Sequence, residues 1–461
     1  MKQKSELITR GPLLKNILLY TVPIILTIAL QRLFNAVDLI VVGQYCGSIS
    51  LSAVGATTFI SNLFVNFFIG LSVGAGVSVA HAYGAKEDEA LHRAVHTAIP
   101  TSLVCGILIT AISVPLAKPM LRMMDTPESL IPLSSLYLQI YLGGIVFNML
   151  YNFSAAILRA VGDTKGPLIY LTIAGVLNVV LNVIFVTVFQ MNVAGVALAT
   201  TISQGVSAFL AVRALMRRTD GSKLVLRKIR FYKEQLTKLI RIGLPAAVNS
   251  SLFSISNITI QSSINSFGEV FMSGNAAAGN IGDFVGVISA SFYQGSLNFT
   301  GQNIGAQQYK RAKQSVFVCM LCSSLITLAA SRLAIFFGQE LLGVYIPDSQ
   351  EAIDCGMIRL NIVCAYWFIG AIMDTTTGAL RGMGASTVPM VIAALGVCGI
   401  RILWVYTIFR IPQYHTPESL FISYPVSWIV TSLAQFIAFF IVLKKVMKKA
   451  EESSQTPAVT T

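Results

Sequence analysis

The decapeptide LRAVGDTKGP at residues 158–167 returns in the second half of the chain as LRGMGASTVP at residues 380–389. Leu, Arg, the second Gly and Pro recur at matching positions, and Pro23 and Pro245 have the same separation. An offset that stays constant from Pro23 to Pro167 indicates that the chain contains two copies of one half. This duplication decides the fold, because each half must repeat the structure of the other.

The composition is that of a membrane protein. The 461 residues are 54% hydrophobic and only 11% charged, whereas soluble domains carry about 25% charged residues. Apolar runs long enough to cross a bilayer recur along the chain. We predict an all-α polytopic membrane protein with twelve transmembrane helices near residues 13–42, 51–80, 94–117, 130–158, 167–189, 193–215, 236–266, 274–303, 314–338, 352–379, 387–409 and 420–443.

The twelve predicted spans divide equally between the two halves. We place an N-terminal six-helix bundle at 1–215, a basic linker at 216–235, a C-terminal six-helix bundle at 236–447 and a polar tail at 448–461. Because six is even, each half begins on the same side, which predicts a pseudo-twofold axis along the membrane normal. Two such bundles can expose a shared cleft to either side in turn.

The charge distribution predicts the orientation. When loops are assigned to alternating sides, 26 of the 33 Lys and Arg residues lie with the two termini. The opposite side carries only Lys118, Arg122 and Arg410. Since basic loops stay in the cytoplasm, we expect both termini of this multi-pass membrane protein there. The net charge of +13 therefore indicates contact with membrane lipids rather than nucleic acid.

Three aspartates, Asp38, Asp283 and Asp374, lie well inside long apolar runs. A carboxylate at membrane depth costs roughly 3 kcal/mol or more, so it usually marks the path of an ion or a substrate.

The first span carries a continuous polar face, formed by Thr27, Gln31, Asn35 and Asp38. Their spacing places them on one side of a helix, which must face protein or water because lipid offers no hydrogen-bond partner. Asp38 could therefore gain and lose a proton as the cleft changes sides. The alternative is a structural aspartate that pairs with Arg32 or with backbone donors.

Two further spans of the first half supply oxygen-bearing side chains. Asn178 and Asn182 lie one turn apart in span five, and Thr200 and Thr201 lie in span six. With Asp38 they could form a small-cation site, since hard cations select oxygen ligands. The same residue types also join membrane helices through ordinary hydrogen bonds.

Polar and aromatic residues of the second half could line a chamber for an organic cation. Asp283 or Asp374 would attract the charge, and Tyr293 or Trp367 would stack on flat groups. The candidate substrate residues are Gln31, Asn152, Asn257, Gln261, Asp283, Tyr293, Trp367 and Asp374. The alternatives are helix packing for the aromatic residues and a pair with Arg381 for Asp374. Four arginines within the spans leave open whether one holds an anionic substrate: Arg32, Arg332, Arg359 and Arg401.

Motifs in both halves, taken in this order, resemble the multidrug and toxic compound extrusion (MATE) family over nearly the whole chain. The motifs are QxxxNxxD at 31–38 with VG at 42–43, YGA at 83–85, ILRAVGDTK at 157–165, GQNIGA at 301–306 and GALRG at 378–382. The chain is most similar to bacterial members that have an aspartate in span one, which implies a location in the bacterial plasma (inner) membrane. The resemblance implies an antiporter that exports organic cations, often drugs, against an inward proton or sodium gradient.

The resemblance also implies the site that couples transport to the ion gradient. The span-one aspartate corresponds to Asp38 with Asn35 beside it, the span-five pair to Asn178 and Asn182, and the span-six threonine to Thr201. Position 182 is an amide where the family often has a carboxylate, which removes a negative ligand. We therefore expect protons as the coupling ion, with Na⁺ as the alternative.

Other classes fit the sequence less well. A lipid-linked oligosaccharide flippase of the same superfamily usually has two more C-terminal spans, and a passive pore does not need duplicated, mobile halves. No metal-ligand pair, phosphate loop or nucleophile–base arrangement is present in the sequence. We expect no enzyme activity, no metal and no cofactor other than the coupling ion, and a monomer.

Overall fold

The structure, a computed structural model, describes residues 7–455, and its regular elements within that range are helices. The end of the polar tail, 456–461, lies outside the described residues. The helices are α1 Leu13–Tyr45, α2 Ser48–Ala85, α3 Asp88–Met123, α4 Ile131–Gly143, α5 Ile145–Ala160, α6 Lys165–Val183, α7 Asn192–Met216, α8 Lys233–Asn265, α9 Glu269–Gly305, α10 Tyr309–Phe336, α11 Gly338–Tyr345, α12 Gln350–Arg359, α13 Trp367–Gly382, α14 Thr387–Ala393, α15 Ile400–Tyr406 and α16 Pro417–Gln455. Short π-helical segments extend α6 and α12 and join α14 to α15, at Ile184–Val188, Leu360–Cys364 and Ala394–Gly399.

The helices confirm the all-α membrane architecture. Between residues 7 and 455, nine helical segments are long and apolar enough to cross a membrane, and eleven are if each of two bent pairs is one span. All eleven coincide with predicted spans. The predicted eighth span lies in α9, which has 37 residues but is not among the eleven. Its many Asn, Gln, Ser and Gly residues lower its hydropathy.

The fourth span of each half is broken at an equivalent position. The α4–α5 pair bends by 42° and the α12–α13 pair by 45°. The breaks fall at Gly144 and Tyr366, whose separation along the chain equals that of the repeated decapeptides. A Cβ at Gly144 would lie 2.5 Å from the side chain of Thr201, so the first break brings α5 close to α7.

The repeated motif ends a helix in both halves. Gly162 has φ +89° and Gly384 has φ +82°, a left-handed conformation that glycine adopts without steric cost. The amide of Gly162 donates to the carbonyl of Arg159 at 3.0 Å, and that of Gly384 donates to Arg381 at 2.8 Å. The Gly of the repeated motif therefore has the same role in both halves, which is to end the helix before it.

The described chain forms two compact units, and their limits lie inside α1 and α8 rather than at the linker. Unit 1 comprises Val22–Ala247, and unit 2 joins residues 7–21 to 248–455. In unit 2, Tyr20 packs edge-on against Phe299 with 5.4 Å between ring centroids. These contacts assign the first turns of α1 to the second unit.

In unit 1, the first turns of α8 pack closely against α2. A Cβ at Gly74 would lie 2.1 Å from the carbonyl oxygen of Leu239, and one at Gly243 would lie 2.5 Å from that of Leu71. Only glycine permits this distance between the two helices. The linker before α8 also belongs to this unit, since the amide of Val225 donates to His96 Nε2 at 3.0 Å.

Candidate functional site

The Asp38 carboxylate lies in unit 1, where α1 meets α6. Asn182 on α6 is fully buried and donates from Nδ2 to Asp38 Oδ1 at 2.5 Å. No ion pair involves Asp38 among residues 7–455, so the predicted alternative of a pair with Arg32 is not what the structure shows. The buried amide satisfies one oxygen of Asp38 without neutralising its charge.

A chain of side-chain hydrogen bonds extends this contact to α7. Asn182 Nδ2 also approaches Asn178 Oδ1 at 3.3 Å, and Asn178 Nδ2 donates to Thr200 Oγ1 at 3.3 Å. The Oδ1 atom of Asn182 is buried and has no hydrogen-bond partner within the described chain. The Asp38 carboxylate and the buried, unpaired carbonyl oxygen of Asn182, two side chains in contact, could together hold a proton or a small cation.

Other predicted members of this site are not part of this chain of hydrogen bonds. The resemblance implied Thr201, but its hydroxyl lies 3.4 Å from the carbonyl oxygen of Ile140 on α4. Thr200, one residue earlier, joins the hydrogen-bond chain instead, because neighbouring helical residues point about 100° apart. Asn35 is exposed and Gln31 is partly exposed, both on α1.

Sequence reasoning missed two tyrosines near this site. Tyr137 and Tyr141 lie one turn apart on α4 with stacked rings, 6.2 Å between centroids. Both pack in the apolar cluster that includes Val37, Val41 and Val42 of α1, the helix that carries Asp38. The available signal was the i, i+4 spacing of two phenols within a predicted span, which is typical of one helix face.

In unit 2, Asp374 in the fourth span of the second half contacts α9. Asp374 on α13 accepts a hydrogen bond from the hydroxyl of Ser289. Arg381, two turns along the same helix, donates from Nη1 to the Tyr293 hydroxyl at 2.6 Å, and its guanidinium lies 5.4 Å from the centroid of that ring. Asp374 and Arg381 therefore each contact α9, and the predicted stacking residue Tyr293 already holds a cation of the protein.

Trp367 lies in a packed helix interface of unit 2. Cβ atoms at Gly282 and Gly286 of α9 would lie 3.0 and 2.9 Å from its indole ring. Its other neighbour is Trp428 on α16, with 5.8 Å between ring centroids. This is the packing alternative rather than a ring free to stack on a substrate.

The remaining substrate candidates differ in exposure. Asn257 and Gln261 are exposed on α8, and Asp283 is partly exposed on α9. Asn152 in unit 1 is 9% exposed and donates to Asn148. Gln261 donates from Nε2 to Asn265 Oδ1 at 3.0 Å, so it is engaged within its own helix in the same way as Asn152, although its side chain is exposed.

Two of the intramembrane arginines, both in unit 2, have neutral partners. Arg359 is partly buried and donates to Asn275 Oδ1 at 2.6 Å. Arg401 is 3% exposed, donates to Ser427 at 3.1 Å and lies 4.0 Å from the Tyr424 ring centroid. Cation–π contacts of this kind stabilise a desolvated guanidinium, so these arginines have a structural role that needs no anionic substrate. The other two intramembrane arginines, both exposed, are Arg32 and Arg332.

The fold is shared with solved transporters. A MATE transporter crystallised in complex with MaL6 superposes with a TM-score of 0.90 over 97% of this chain and 100% of that one, at 21% identity. A MOP superfamily transporter from Pyrococcus furiosus gives 0.89 over 96% and 98%, also at 21% identity. At this identity the likeness shows the fold.

Sequence comparison shows the family. The chain is 26% identical to the probable multidrug resistance protein YoeA of Bacillus subtilis (strain 168), over 94% of each chain. It is 25% identical to the probable multidrug resistance protein NorM of Thermotoga maritima, over 81% of each. The MatE family model matches twice, at residues 23–184 and 245–407. The two matches begin at Pro23 and Pro245, the pair of prolines that has the same separation as the repeated motifs, and the chain therefore belongs to the MatE family of membrane transporters, which are not enzymes.

Proposed function

We propose that the protein exports organic cations, including drugs, in exchange for protons across the bacterial plasma membrane. Relatives named as multidrug resistance or multidrug export proteins support this substrate class. Transport would proceed by alternating access between the two units, with both termini in the cytoplasm. The protein would act as a monomer.

The observation that carries the proposal is the environment of Asp38. Its carboxylate has a buried amide donor and no cationic partner within the described chain. A carboxylate at membrane depth with an uncompensated charge is costly, and binding a proton or a cation relieves that cost. Asp38 is therefore the group that would bind the coupling ion when accessible from outside and release it inside.

The proton is the coupling ion that this site favours. Asp38 is the only carboxylate of the cluster, and its other members are Asn178, Asn182 and Thr200. Sodium sites usually need several oxygen ligands in a fixed shell, whereas a single carboxylate suffices for a proton. Sodium is the alternative coupling ion, and the efflux assay described below distinguishes the two ions by adding or omitting external Na⁺.

In unit 2 we assign substrate contact to the exposed amides Asn257 and Gln261 of α8, with Asp283 and Asp374 attracting the positive charge. Asn257 and Gln261 belong to a series of polar side chains along α8 that also includes Ser250, Ser254 and Asn265. Amides combined with a few acids suit a ligand class with varied shapes and one positive charge.

The test is efflux of a cationic dye from proteoliposomes under an imposed pH gradient, with external Na⁺ present or absent. We expect Asp38→Asn to abolish gradient-driven efflux and Asp38→Glu to retain part of it. Asp125→Asn, in the loop after α3, removes the same charge outside the predicted spans and serves as the control. Unchanged efflux by Asp38→Asn would exclude Asp38 from coupling.

A further inference from the structure

A basic groove lies in unit 2 where α1 and α10 begin, and none of the residues that line it is a candidate for ion or substrate binding. Its volume is about 680 Å³. The residues that line it are Gly11, Leu13, Lys310, Arg311, Lys313, Gln314, Phe317 and Val318. Three of these eight are cationic and none is acidic, so within the described chain the groove is a site of concentrated positive charge.

The charges of the groove are only partly used by the protein. Arg311 donates from Nε to the carbonyl oxygen of Ile8 at 3.2 Å, while one terminal nitrogen of its guanidinium is buried without a hydrogen-bond partner among residues 7–455. Lys313 Nζ lies 5.2 Å from the Phe440 ring centroid. Lys310 and Lys313 are both exposed, and neither forms an ion pair in that range.

The polarity of the groove changes along α10. Lys310, Arg311 and Lys313 precede the apolar run predicted at 314–338, whereas Phe317 and Val318 lie one turn inside it. Leu13 begins the apolar run of α1. The charged end therefore lies at the membrane–water boundary, where cationic residues attract anionic headgroups, and the apolar end lies at the depth of the acyl chains.

We propose that this groove binds the phosphate group of an anionic phospholipid, with Lys310, Lys313 and the unpaired Arg311 nitrogen at the phosphate and with Leu13, Phe317 and Val318 along the first acyl carbons. Free inorganic phosphate shares the anionic chemistry but makes no use of the apolar wall. Because Arg311 also holds Ile8, the bound lipid would stabilise the attachment of the N-terminal segment to unit 2.

The test uses the full-length protein in liposomes that contain a photoactivatable phosphatidylglycerol, with the cross-linked peptides identified by mass spectrometry. We expect cross-links in residues 309–318. Lys310→Gln with Lys313→Gln should weaken the labelling about tenfold or more, since each basic residue near an anionic surface contributes on the order of a fivefold preference. Lys444→Gln with Lys445→Gln, which removes two exposed lysines outside the groove, is the matched control and should not change the labelling.

Three outcomes would overturn the proposal. Equal labelling by a photoactivatable phosphatidylcholine would show that the groove does not select anionic lipid. An equal loss of labelling in both double variants would show general charge attraction rather than a site. Displacement of the lipid by inorganic phosphate at matched ionic strength would identify a free-phosphate site. None of these outcomes depends on transport, so they leave the proposed exchange of cations for protons to its own test.

Discussion

At the scale of single residues, the amide at position 182 defines the character of the candidate ion site. Asn182 is fully buried and bridges Asp38 and Asn178 through one nitrogen. Its oxygen is buried and unpaired within the described chain, so the site has carboxylate and amide oxygens but only one formal negative charge. The identity of this one side chain is therefore expected to set which ion the site accepts.

We predict that Asn182→Asp makes transport responsive to sodium. The substitution places a second carboxylate next to Asp38, and two adjacent like charges are stable only if they share a cation or a proton. Efflux by proteoliposomes under an imposed Na⁺ gradient at constant pH should increase relative to the unmodified protein. Asn148→Asp, which adds the same charge on α5, is the control. If the Na⁺ gradient did not increase efflux by Asn182→Asp, the assignment of residue 182 to the ion site would be wrong.

At the scale of helices, glycines fix how closely neighbouring segments pack in unit 1. Gly74 of α2 faces the backbone of α8 at Leu239, and Gly243 of α8 faces the backbone of α2 at Leu71. Small residues at such crossings bring membrane helices into contact and allow extensive van der Waals packing. Because α8 belongs to the second half of the sequence, this contact is what joins its first turns to the first unit.

We predict that Gly74→Ala destabilises the protein by about 1–3 kcal/mol, the usual cost of overpacking a tight interface. The added methyl group would lie 2.1 Å from a backbone oxygen, which cannot rotate away as a side chain can. Thermal unfolding in detergent should show the loss. Gly55→Ala is the control on the same helix, because a Cβ there meets nothing within 4 Å, and equal melting temperatures of the two variants would refute the predicted clash.

At the scale of the whole molecule, the duplicated halves and the compact units are not the same division. The repeat separates the chain at the linker, whereas unit 1 ends at Ala247 inside α8 and unit 2 includes residues 7–21, with the first turns of α1. Pro23 and Pro245 lie within two residues of these limits and occupy equivalent positions in the two copies of the repeat. In both copies of the repeat, the chain therefore crosses from one unit to the other at an equivalent position in the first helix.

We predict that both termini are cytoplasmic. A C-terminal green fluorescent protein fusion should fluoresce, and alkaline phosphatase fused at the C-terminus should be inactive, because basic flanking segments remain in the cytoplasm. Alkaline phosphatase inserted at Asp125, between α3 and α4, should be active. An insertion at Asp220 in the basic linker provides the inactive control, and the reverse pattern would overturn the orientation.

The spans were predictable because the bilayer imposes one strong requirement, a long apolar helix, that each segment must meet alone. Eleven predicted spans match helices on length and apolarity, and α9 differs because polar residues along it lower its hydropathy. The ion site was harder to predict. The sequence identified Asp38, Asn178 and Asn182 as candidates. It could not show that Thr200 rather than Thr201 joins them, or that the two tyrosines of α4 lie nearby. These contacts depend on how four helices are rotated about their axes.

The sequence by itself determined the helical class, the duplication and the few polar residues that a membrane interior tolerates only for a reason. These properties are local or periodic, so each segment reveals them without its neighbours. Only the tertiary structure decided that Asn182 binds Asp38, that Trp367 packs between helices and that α1 and α8 each belong to both units. These contacts join residues that are distant in sequence, so they depend on the packing with the lowest free energy for the whole folded chain.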